Sequence, residues 1–162
     1  YIAKANEKNF LLIGMDAPDF SLFSTEDKMV SLSDFRGENI VLYFFPKSDT
    51  PGWKKQACGF RDIYDQYKNN NIVVIGVSYD SPSSLLKFKN KHKLPFYLLS
   101  DKDKIVSKLY GANGFFFPKR MTFYIGENGK IYNIYKKINL NTHATEILNS
   151  IIDNKKKPKK SY

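Results

Sequence analysis

A single cysteine, two histidines and a single tryptophan in 162 residues rule out several kinds of chemistry at the outset. With Cys58 alone, no intramolecular disulfide can form and no cysteine-rich metal site can assemble. His92 and His143 stand about fifty residues apart with no cysteine or second histidine beside either. No zinc or transition-metal centre is therefore expected, and no cofactor. Long apolar runs are absent as well. The longest strongly apolar stretch, Ile40 to Phe45, is far too short to cross a bilayer. No N-terminal stretch pairs a basic region with an apolar one, so no signal peptide is read. Tyr1 is not an initiator methionine, which leaves room for a processed or trimmed segment before it. The expectation is a soluble intracellular protein, cytoplasmic, or nuclear if its lysine-rich end is an import signal.

Acidic residues are also in short supply. Sixteen Asp and Glu face 26 Lys and Arg, for a formal net charge of +10. Five of those charges are Lys155, Lys156, Lys157, Lys159 and Lys160, and the other basic residues are spread along the chain. Such a balance favours acidic partners only weakly. Residues 155–162 show no core-forming pattern and are expected to form a basic disordered tail behind one domain spanning residues 1–154.

What the chain does contain is a pattern of buried strands and amphipathic helices. Ile40-Val-Leu-Tyr-Phe-Phe45 and Ile72-Val-Val-Ile-Gly-Val77 are continuous apolar runs, the mark of central strands covered on both faces. Between them, Ala57, Phe60, Tyr64 and Tyr67 recur at helical spacing, and Thr50-Pro51 supplies a cap and a first-turn proline. One helix over residues 51–69 is predicted, giving a β-α-β unit. A second helix is expected after Ser81-Pro82, running to about Lys93. A short strand over 96–99 and a short helix over 102–110 follow. Residues 121–125 and 130–138 read as a hairpin around the Asn128-Gly129 turn. A last helix over 142–154 carries Ile147, Leu148, Ile151 and Ile152 on one side. Residues 20–22 and 30–32 read as a small extra N-terminal hairpin. The fold class is α/β, a central mixed sheet flanked by helices.

Several stretches, in order and at matching spacing, resemble the peroxiredoxin family, most closely its Q type, the bacterioferritin comigratory proteins. They are APDFSL (17–22), LSDFRGENIVLYFFPKSDTPG (32–52), ACGFRD (57–62), VVIGVSYDS (73–81), RMTFYIGENGK (120–130) and THATEIL (142–148). The resemblance implies a thioredoxin fold with an N-terminal β-hairpin extension. It also implies a site built on P-x-x-x-T-x-x-C with a distant arginine. Pro46, Thr50 and Arg120 match those positions, and the position of the peroxide-attacking cysteine is Trp53. In the family, a thiolate at the first turn of a helix is stabilised by backbone N–H groups, the helix dipole and the guanidinium. An indole has one N–H donor and no comparable nucleophile, so it forms no sulfenic acid.

Cys58 matches the family's second, resolving cysteine. On an intact helix, five residues amount to about 140° of rotation and a rise of about 7.5 Å, so Cys58 is expected to face away from the Thr50–Arg120 pocket. Two readings of it stand: a small buried apolar residue on a helix, or a thiol with residual activity. The chain is accordingly read first as a catalytically degenerate peroxiredoxin-like domain, a binding or scaffold module with a protein partner, as monomer or homodimer. The alternative is a thiol-dependent peroxidase or oxidoreductase working through Cys58. A third reading makes the basic tail a contact for nucleic acid or an anionic membrane. His92 is expected to be solvated and His143 to cap a helix or lie on the surface. Arg120 is expected to bind an anion or pair with a carboxylate.

Overall fold

The computed structural model describes residues 11–48 and 50–157. Its centre is β3 (Asn39–Phe44), which pairs in parallel with β4 (Ile72–Ser78) and antiparallel with β6 (Met121–Ile125). β4 pairs in parallel with β5 (Tyr97–Ser100). β1 (Ser21–Ser24) and β2 (Met29–Ser31) form the expected N-terminal hairpin, which joins the β5 edge antiparallel. β7 (Ile131–Tyr135) closes the other edge, completing a seven-stranded mixed sheet in the order β2-β1-β5-β4-β3-β6-β7.

Alternation along β3 explains its unbroken apolar run. Val41 and Tyr43 enter a core on one face, with Phe45 just beyond the strand, while Ile40, Leu42 and Phe44 enter a second core on the other. The first core is covered by α1 (Pro51–Asp62), α2 (Tyr64–Asn69), α3 (Pro82–His92) and α5 (His143–Lys156), and the second takes Val106 from α4 (Ile105–Leu109).

The single helix expected over 51–69 is divided at Ile63, whose backbone leaves helical geometry (φ −117°, ψ 19°). Tyr67 is buried and donates its hydroxyl to the Ala144 carbonyl at 2.6 Å, while Tyr64 stays only partly buried. The expected short helix over 102–110 forms only from Ile105, its first turn held by the buried Asp101 carboxylate, which accepts from the Val106 and Ser107 amides. Helix α5 continues through Lys156, so Lys155 and Lys156 belong to its last turn rather than to a tail starting at 155. Residues 158–162 of that expected tail lie outside the described residues, as do residues 1–10. No described helix is long and apolar enough to cross a membrane.

His92 corrects its sequence expectation. It is buried at the end of α3 with its ring centroid 4.3 Å from that of Phe88, because Leu85, Phe88 and His92 fall on one helical stripe facing the first core.

Candidate functional site

The chain leaves β3 at Phe45-Pro46 and enters α1 at Pro51, so the loop and the first turn of α1 meet at one end of the sheet. Thr50 is the residue before the helix and has extended backbone geometry (φ −91°, ψ 148°), but its hydroxyl does not cap α1. It donates instead to the Lys47 carbonyl at 3.0 Å, folding the loop on itself. Pro46 is half-buried at the loop's start.

Arg120, immediately before β6, reaches across to α1. Its Nη1 donates to Gln56 Oε1 at 2.6 Å. A Cβ built on Gly52 would lie 3.1 Å from Arg120 Nη2, so glycine at this first-turn position lets the guanidinium lie close against the helix. The described partner of Arg120 is thus an amide carbonyl, not the carboxylate anticipated from sequence. Burial lowers its pKa from the ordinary arginine value, opposed by the nearby Tyr43. Gln56 was missed in the sequence, although it lies three residues after Trp53 on the stripe that continues to Phe60.

Trp53 has 0% exposure. Its ring stacks on Phe45 with centroids 4.2 Å apart and an interplanar angle of 20°, and its centroid is 3.5 Å from that of Phe88 on α3. Among the described residues, buried Trp53 Nε1, Tyr43 Oη and Gln56 Nε2 meet no partner at hydrogen-bonding geometry. Burial drives the Tyr43 hydroxyl far above the ordinary tyrosine range, against the opposing pull of the Trp53 N–H and Arg120.

Cys58 is a free, half-buried cysteine on the same unbroken helix as the fully buried Trp53. Two clefts lie elsewhere. One of about 480 Å³ is lined by residues such as Asp19, Glu38 and Glu127, and one of about 490 Å³ by residues such as Phe23, Met29 and Ile105. A third, of about 400 Å³, reaches Lys47 and Phe88, but Thr50, Trp53 and Arg120 line none of the three. Among the described residues, no group of three or more His, Cys, Asp and Glu side chains is arranged to hold a metal.

His143 departs from expectation too. It is buried, with Nε2 3.0 Å from Thr122 Oγ1 and its ring packed edge-on against Phe60 and Tyr135. Burial pushes its pKa down to about 4, with Arg120 adding to the effect and Glu146 opposing it. The unfolded chain therefore takes up a proton near pH 6.5 that the native state refuses until about pH 4. Stability is full above pH 6.5 and falls toward pH 4 with a slope of up to about 1.4 kcal/mol per pH unit from this group. Urea unfolding of wild type and His143→Gln at pH 7 and pH 5 measures it. The gap between the two proteins is expected to change with pH in the variant's favour at pH 5, and a gap independent of pH contradicts the assignment.

Comparison with known proteins identifies the family and the fold. Residues 13–134 match the AhpC/TSA family. Peroxiredoxin Bcp of Bacillus subtilis is 36% identical over 149 residues, covering 87% of this chain and 95% of that protein. The chloroplastic peroxiredoxin Q of Oryza sativa subsp. japonica is 44% identical over 125 residues, which span 75% of this chain and 58% of the rice protein. The crystal structure of a cysteine-to-serine mutant of Xylella fastidiosa PrxQ superposes with a TM-score of 0.87 at 28% identity, covering 91% of this chain and 99% of that one.

Proposed function

The chain belongs to the AhpC/TSA family and is of the peroxiredoxin Q/Bcp type; from that premise we propose that it is a catalytically degenerate member acting as a binding or scaffold module. The observation that carries the proposal is Trp53 itself. It sits at the first turn of α1, where the family motif sets its peroxide-attacking cysteine, and its indole is wholly buried between Phe45 and Phe88. Indole carbon and nitrogen offer no sulfur to oxidise, so the family's first step, thiolate attack on the peroxide O–O bond, has no donor here. Thr50 and Arg120, which would otherwise hold the peroxide, are engaged by Lys47 and Gln56.

Cys58 supports a second reading, since it is half-buried and therefore partly open to reagents. Against it stands its position on α1, about 140° around the helix from residue 53, on a helix that is continuous between the two. Alkylating Cys58 with iodoacetamide separates the two readings. Under the degenerate reading, peroxide turnover in the presence of dithiothreitol is unchanged by alkylation. Turnover that disappears on alkylation makes Cys58 the reacting group.

A further inference from the structure

Three consecutive phenylalanines in the loop between α4 and β6 face outward, with Phe115 84%, Phe116 74% and Phe117 48% exposed. Their rings pack on one another, Phe115 edge-on to Phe116 with centroids 4.6 Å apart and Phe116 to Phe117 at 6.5 Å. Exposed rings in a row are costly in water, and on a soluble domain they mark a contact site. The loop is tied at its base. The Lys119 amide donates to the Ala112 carbonyl at 2.7 Å, Tyr79 Oη donates to the Gly114 carbonyl at 3.3 Å, and Lys104 Nζ donates to the Phe115 carbonyl at 3.3 Å. Gly114 cannot be another residue without movement, because a Cβ there would come within 2.0 Å of the Phe117 carbonyl oxygen. The aromatic tip is therefore presented by a closed turn.

Charge indicates what the tip meets. Residues 102–119 carry Lys102, Lys104, Lys108 and Lys119 against a single acidic residue, Asp103. A second copy of a chain with net charge +10 would bring like charge against this stretch, whereas a surface of anionic headgroups complements it. An apolar tip flanked by lysines is the arrangement that seats aromatic rings at the headgroup boundary while the ammonium groups contact lipid phosphates. We propose that the Phe115–Phe117 loop is a docking site for an anionic lipid bilayer, with Lys104 and Lys119 as its headgroup contacts.

Co-sedimentation of the full chain with vesicles tests this. Binding is expected to vesicles of phosphatidylcholine mixed with phosphatidylserine, and not to phosphatidylcholine alone, and to weaken as salt is raised. The Phe115→Ser/Phe116→Ser variant is expected to lose roughly tenfold or more in partitioning, with its circular dichroism unchanged. Lys104→Glu/Lys119→Glu is expected to weaken binding to the mixed vesicles in the same way. Absence of binding by the wild type overturns the proposal, as does binding that survives both variants, which would assign it to the lysines at the chain's end. A phenylalanine-dependent dimer in sedimentation equilibrium, or phenylalanine-dependent binding to poly(U) without vesicle binding, also overturns it by giving the tip to a different partner.

Discussion

Replacing Trp53 with alanine is expected to lower the unfolding free energy by about 3–5 kcal/mol, the usual range for emptying an aromatic site in a core. The indole touches two other elements at once, Phe45 just beyond β3 and Phe88 on α3, from its own place on α1. Losing it removes apolar area buried from water and also two aromatic pairs, each worth about 0.5–1.5 kcal/mol beyond area. The neighbours offer little means of collapse, since Phe45 is held by its amide on the Val77 carbonyl at 3.1 Å and Phe88 by the body of α3. Trp53→Phe is expected to cost much less, because most of the stacking area on Phe45 and Phe88 remains. Urea unfolding followed by far-ultraviolet circular dichroism measures both, and suits variants that lack the only tryptophan. A cost below about 1 kcal/mol for the alanine variant would show that the indole contributes as a surface residue does.

The second large effect is a gain. Trp53→Cys is expected to consume hydrogen peroxide where the wild type does not. The new thiol would stand at the first turn of α1, where unpaired backbone N–H groups and the helix dipole favour its thiolate. Arg120 is already alongside, with Nη2 3.1 Å from where a Cβ on Gly52 would be. Thiolate attack on one peroxide oxygen would give a cysteine sulfenic acid and release water or hydroxide. Dithiothreitol, as the reductant, would then return the thiol. The substitution also opens a cavity between Phe45 and Phe88, so its unfolding midpoint is measured beside its activity to separate an inert site from an unfolded one. A folded Trp53→Cys protein with no peroxide consumption would show that the rest of the site is no longer suited to the reaction.

Much of this architecture is legible in the residues. The run from Ile40 to Phe45 fixes a strand covered on both faces, and Asn128-Gly129 fixes a hairpin, Gly129 adopting φ 77°. Of the positions singled out by the family resemblance, Thr50 and Trp53 stand at the start of α1, and Arg120 lies against the same helix at Gly52 and Gln56. What sequence could not supply is long-range. His143 stands at a helix start, which favours the surface, yet Thr122 on β6 and the rings of Phe60 and Tyr135 enclose it. His92 is hidden among Lys89, Lys91 and Lys93, although its spacing from Leu85 and Phe88 already puts it on the buried stripe. The division at Ile63 carries no proline or glycine to announce it. Arg120 finds Gln56, 64 residues away in the chain, rather than a carboxylate, a long-range pairing that no local pattern records.

The most direct test of the central claim is hydrogen peroxide consumption by the wild-type chain with dithiothreitol, beside Cys58→Ser. Both proteins are expected to match the protein-free blank, since residue 53 has no sulfur and the proposed reading gives Cys58 no catalytic role. Consumption by the wild type that vanishes in Cys58→Ser would contradict the account and make Cys58 the catalytic residue.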